Sequence, residues 1–189
     1  MKEVQRARRN TLGDILRRSA GRNPDKIALR FEEEALTYRE LDMIVNQTAN
    51  ALIRKGLKKG DRAAVLSRNS MDFVILNFAL AKAGVIMVPI NYMLNAEDAA
   101  YLLSHAEVAA CFVSPEFLPL AEDARKRSGI KPVLCSLISR PSPPQGEWVP
   151  FRQWIAGEET SEPEVELDDE DVAHILYTSG TESRPKGVM

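Results

Sequence analysis

The residues best suited to chemistry lie together near one end of the sequence. Thr178-Ser179-Gly180-Thr181-Glu182-Ser183-Arg184-Pro185-Lys186-Gly187 strings hydroxyls and glycines together and closes on a lysine. Such a loop suits a phosphate. Small residues let backbone N–H groups turn toward an anion, hydroxyls add donors, and Lys186 adds a positive charge. The order differs from a Walker A loop, where the lysine follows the second glycine; here Lys186 precedes Gly187. No GxGxxG occurs anywhere in the chain, so the dinucleotide fingerprint is absent. Composition alone leaves a plain surface turn equally open.

A loop of this kind needs a strand to deliver it, and Val172 to Tyr177 reads as a buried one. Upstream, a helix is expected from Thr11, with Asp14 as a capping-box partner and Leu12, Ile15, Leu16 and Ala20 on its apolar side. Lys26 to Phe31 reads as a strand with a hairpin return over Ala35 to Thr37. Thr37-Tyr38-Arg39-Glu40 is a capping box that opens a second helix, and Gly56 closes it. Its stripe of Leu41, Ile44, Val45, Thr48, Ala49, Leu52 and Ile53 has helical spacing. Strands over Arg62 to Ser67, Val85 to Ile90, Val108 to Val113 and Pro132 to Leu137 then alternate with helices at Ser70 to Ala83, Asn95 to His105 and Pro115 to Ser128. That alternation predicts an α/β fold, a layered and largely parallel sheet flanked by helices.

The organisation expected is an N-terminal α/β subdomain over 1–138, a connector over 139–171, and a strand with its phosphate-binding loop over 172–189. Pro141, Pro143, Pro144 and Pro150 stiffen the connector, and Phe151 to Ala156 allows one short helix. Glu158 to Asp171 holds nine acidic residues and no basic one, the composition of a solvated linker. Asp168, Asp169, Glu170 and Asp171 lack the spacing and the glycine of a calcium loop, so they read as a charged turn. Trp148 and Trp154 are expected to dock the connector on the body.

Twenty-five basic against twenty-seven acidic side chains leave a net charge of −2, so bulk charge offers nothing to a nucleic acid. Cys111 and Cys135 have no CxxC spacing and read as core thiols. The most apolar stretch, Phe73 to Pro89, is broken by Asn77 and Lys82, too soon for an integral membrane segment. Lys2, Arg6, Arg8 and Arg9 are followed by no apolar h-region, and the chain reads as cytoplasmic. His105 reads as a capping or surface side chain, His174 as packing, and Arg184 as solvated.

The stretch from Ile175 to Gly187 closely resembles the phosphate-binding signature of the AMP-forming acyl-CoA synthetases, the adenylate-forming enzyme family. Leu36 to Leu41 is similar to that family's first core motif, and Lys58-Lys59-Gly60-Asp61-Arg62 to its KGDRV turn. Phe78 to Gly84 with Val88-Pro89-Ile90-Asn91 is similar to its second core motif. The Pro-Ile-Asn ending leans toward fatty-acyl and aryl-acid CoA ligases. Glu182 and Ser183 depart from the commonest TSGTTG form, and a carboxylate beside a triphosphate repels it, so Glu182 is not counted as a ligand.

The resemblance implies an acid–CoA ligase that uses ATP, Mg²⁺ and coenzyme A, with a medium- to long-chain fatty acid as first choice and an aryl or other organic acid as second. It implies that Thr178, Ser179, Gly180, Thr181, Lys186 and Gly187 bind the nucleotide phosphates, that Lys186 is catalytic, and that Thr181 helps hold magnesium. It implies further that the chain corresponds to the N-terminal part of such an enzyme, with the next subdomain beyond Met189. A non-catalytic binding or scaffolding domain is the alternative, and a homodimer is one assembly open to it. On this reading the 189-residue chain alone yields no acyl-adenylate, and adenylate formed from any acid by the purified chain would contradict it.

Overall fold

The computed structural model describes residues 8–136, 146–178 and 185–189. Lys2 and Arg6, Leu137, Pro141, Pro143 and Pro144, and the side chain of Cys135 lie outside the described residues. Helix α1 (Leu12–Arg22) opens on Thr11, whose backbone N–H and hydroxyl both donate to Asp14 Oδ2, at 3.1 and 2.8 Å. A hairpin of β1 (Ile27–Phe31) and β2 (Glu34–Thr37) leads into α2 (Tyr38–Arg54), capped as expected by Thr37 and Glu40. Beyond Gly56, with φ +94°, come β3 (Arg62–Leu66), α3 (Met71–Ala83) and β4 (Ile86–Pro89). Helix α4 (Ala96–His105), β5 (Val108–Val113), α5 (Leu118–Ser128) and β6 (Val133–Ser136) follow. The short β7 (Val149–Pro150) and α6 (Phe151–Ile155) close this body.

Five strands form one parallel sheet in the order β4-β3-β5-β6-β7. The chain steps from β3 to β4 in one direction and from β4 to β5 in the other. Crossovers between parallel strands are right-handed, so this reversal sends α3 to one face and α4 to the other. Side chains alternate across a strand, and each central strand therefore feeds two cores. Ala63, Val65, Ala110 and Phe112 join the cluster made with α1, α2, α3 and α6; Ala64, Leu66, Cys111 and Val113 join that made with α4 and α5. Burial among these apolar neighbours pushes the Cys111 thiol up to about 12, in keeping with a core thiol. Trp148 and Trp154 are both buried, the first donating to Glu122 Oε1 at 2.6 Å and the second edge-on to Phe112.

Two expectations need correction. The acidic segment, though mostly exposed, is not a free linker. The carbonyls of Glu158, Glu159, Thr160 and Ser161 accept from the amides of Gln47, Asn50 and Asn46 along α2. Arg54 pairs with Glu158, and Lys59 reaches both the Glu166 carbonyl and Asp171. The buried ammonium of Lys82 bonds Asp42, Asn46 and Glu162 at 2.6–2.9 Å. Composition describes only the segment's own side chains, whereas its backbone carbonyls found donors more than a hundred residues away. The run from Val172 to Tyr177 is likewise neither fully buried nor one strand. His174 makes a parallel bridge to Met87 at the outer edge of β4, and a separate strand, β8 (Leu176–Thr178), begins two residues on with Leu176 54% exposed.

Asp72 sits in the first turn of α3 with its side chain 1% exposed, 2.7 Å from the Arg152 guanidinium of α6. Burial pushes its carboxyl up to about 6, against the opposing pull of Arg152. The folded chain thus holds this proton more tightly than the unfolded chain. The group's contribution is complete below its unfolded pKa and is lost as pH rises through 6. Asp72→Asn is expected to raise stability at pH 7 by about 1–3 kcal/mol and to flatten the fall between pH 4 and 6. Denaturation midpoints across that range are the check.

Candidate functional site

The segment bearing the hydroxyls and glycines is strung across a two-stranded antiparallel pair. Strand β8 faces β9 (Lys186–Val188) in the register Leu176 with Val188, Tyr177 with Gly187, and Thr178 with Lys186. Directly opposed residues put their side chains on the same face. Thr178 and Lys186 therefore stand side by side at the mouth of residues 179–185, both exposed. Ser179, Gly180 and Thr181, with Glu182, Ser183 and Arg184, lie outside the described residues. A hydroxyl and an ammonium on one face of the pair can meet a phosphate from the same side.

The other face of the pair holds Tyr177 against Gly187. A Cβ on Gly187 would stand 3.0 Å from Ile175 Cγ2 and 3.4 Å from Tyr177 Cζ. Gly187 thus leaves a bare patch on which the Ile175 and Tyr177 side chains lie closely. The Tyr177 hydroxyl is 2.7 Å from His105 Nδ1, and the two rings meet edge-on with centroids 5.8 Å apart. Burial raises the Tyr177 phenol above its ordinary value, so the hydroxyl keeps its proton. His105 is exposed at the end of α4, as a surface side chain there should be, and in addition it holds a partner. No local signal pointed to Tyr177, which is 72 residues away.

The approach to this site is fixed to the sheet. Met87 donates its N–H to the Ala173 carbonyl and accepts from the Ile175 N–H, both at 2.9 Å. His174 Nε2 donates to Asn77 Oδ1 of α3 at 2.8 Å, which is the packing role its sequence position suggested. Burial lowers the pKa of this imidazole. Near the acidic segment, Asp171 accepts from the Asp168 N–H and Asp169 from the Asn10 N–H. Among the described residues no group of three His, Cys, Asp or Glu side chains is gathered to hold a metal ion. Nor, among them, is any helix long and apolar enough to cross a membrane.

A family model described as AMP-binding enzyme matches residues 16–189. The chain belongs to that family. Crotonobetaine/carnitine–CoA ligase of Salmonella agona strain SL483 is 36% identical over 178 residues, which is 90% of this chain and 34% of the relative. Among solved structures, the anthranilate CoA ligase AuaEII in complex with anthranoyl-AMP superposes with a TM-score of 0.88 at 29% identity, covering 95% of this chain and 34% of that one. A putative long-chain-fatty-acid CoA ligase from Rhodopseudomonas palustris CGA009 gives 0.84 at 27% identity, covering 96% and 44%. This AMP-binding enzyme chain spans about a third of the length of the curated relatives it matches. The structural neighbours bear out the layered α/β fold expected of an adenylate-forming enzyme's N-terminal part.

The tight seat of Gly187 generates a test. Gly187→Ala is expected to push Ile175 and Tyr177 aside, at a cost of about 1 kcal/mol, the low end for an overpacked site because both neighbours are only half-buried. Chemical denaturation measures the loss, and the Tyr177 ring resonances report the displacement.

Proposed function

We propose that this AMP-binding enzyme chain supplies the phosphate-binding loop of an acid–CoA ligase. The supporting observation is the register that sets Thr178 and Lys186 opposite one another across residues 179–185. In the reaction proposed, a carboxylate oxygen attacks the α-phosphorus of Mg-ATP, forming an acyl-adenylate as pyrophosphate leaves. The coenzyme A thiol then attacks the acyl carbon, and AMP departs with the bonding electrons. Adenylation is required because a free carboxylate would have to expel oxide or hydroxide.

Thr178, Ser179, Gly180 and Thr181 would wrap the β- and γ-phosphates, and Thr181 would also reach the magnesium that arrives with ATP. Lys186 would offset the charge that grows on the departing pyrophosphate, a contribution that acts most strongly in the transition state. Gly187 would act indirectly, by letting Tyr177 pack closely across the strand that carries Lys186. The acid proposed is a medium- to long-chain fatty acid. The names of the relatives at 36% identity and of the AuaEII structure favour a second reading, a smaller polar or aromatic acid.

ATP–pyrophosphate exchange by a ligase carrying this sequence in full, run over a panel of fatty, aryl and betaine acids, tests both. Exchange is expected with one acid class, and Lys186→Ala should lower kcat by about 10²–10³-fold, the size of an electrostatic transition-state contribution. Absence of exchange with every acid, or an unimpaired Lys186→Ala variant, would refute the proposal.

A further inference from the structure

We propose that His105 is a positioning residue for the phosphate-binding hairpin, acting through Tyr177; this assignment rests on the ligase reading above. The hairpin has little to hold it. Two-stranded antiparallel pairs are marginal in water unless something packs on them, and Leu176, Thr178, Lys186, Gly187 and Val188 are all exposed. Tyr177 is the half-buried exception, and it leans on the cluster formed with α4 and α5.

His105 is well placed to hold that ring. It is the last residue of α4, beside Leu102, Leu103 and Ala106, each no more than 6% exposed, so its backbone is anchored in the core. Tyr101, one turn earlier, lies against the imidazole with centroids 5.2 Å apart and limits its rotation. The imidazole in turn bonds the Tyr177 hydroxyl at 2.7 Å. On the hairpin side, Tyr177 pairs with Gly187 and its ring covers that residue's bare Cα, next to Lys186. A path of contacts thus runs from the core-anchored end of α4 through Tyr177 to Gly187, the residue that follows Lys186 in β9. Among the described residues of the hairpin, His105 bonds Tyr177, and its influence passes through where Tyr177 stands.

The test uses a ligase carrying this sequence in full. His105→Phe keeps an aromatic ring against Tyr101 and removes the hydrogen bond, Tyr177→Phe removes only the hydroxyl, and His105→Asn restores an acceptor near the Nδ1 position. Either phenylalanine variant is expected to speed amide hydrogen exchange at residues 186–188 about tenfold, the loss of one hydrogen bond's worth of restraint. Each should raise KM for Mg-ATP about three- to tenfold while KM for the acid stays put, which a general loss of stability would not do. His105→Asn should recover most of both effects, and the double variant should be no worse than either single one. Unchanged exchange in the hairpin, or additive effects in the double variant, would overturn the positioning role. A wild-type ligase that neither binds Mg-ATP nor exchanges pyrophosphate would instead overturn the nucleotide reading, and with it the purpose assigned to His105.

Discussion

Setting β3 between two parallel neighbours obliges every other element to find its side of the sheet. Parallel strands joined by helical crossovers are covered on both faces, and the sequence Arg62-Ala63-Ala64-Val65-Leu66 has apolar side chains for each. The reversal of direction at β4 then distributes the helices. Helices α1, α2 and α3 close one face, α4 and α5 the other, and neither core is formed without the strand they share. The helix stripes are complementary to the alternation of the sheet, and the small Ala63, Ala64 and Ala110 let helices approach it closely.

The site hangs from the outer edge of this sheet. The two hydrogen bonds of Met87 convert residues 173–175 from a connector into one more bridge beside β4. Only after that attachment does the chain leave the sheet as β8. The orientation of the hairpin is thereby inherited from β4, while its fine position depends on side chains, chiefly Tyr177 against Gly187 and His105. Backbone pairing gives direction, and ring packing gives place.

Much of this was legible in the sequence for local reasons. The Thr37–Glu40 box and the Ser70 and Asn95 caps involve residues three apart, and Gly84 ends α3 in the left-handed region at φ +70° as a helix-terminal glycine should. Apolar periodicity likewise reports on neighbours along one element. The loop could be read because its chemistry is contiguous. What sequence reasoning missed is long-range. His105 and Tyr177 carry no mutual signal, and the carbonyl bonds of Asn46 and Asn50 involve acceptors present at every residue. The misjudged strand has the same origin, since an apolar run does not say whether Leu176 will meet a covering surface.

The manner in which the acidic segment is fastened has a further bearing. Its nine carboxylates give it the charge density of a polyelectrolyte, and an ordinary acidic tail held by ion pairs alone would loosen as salt screened them. Here neutral amides of α2 on main-chain carbonyls share the grip with the ion pairs of Arg54 and Lys59, and the Lys82 ammonium is sunk where counterions do not reach. Attachment thus depends only in part on charge. Salt that screens the Arg54 and Lys59 pairs leaves the amide-to-carbonyl bonds in place, while the exposed carboxylates keep the segment's outer side hydrated.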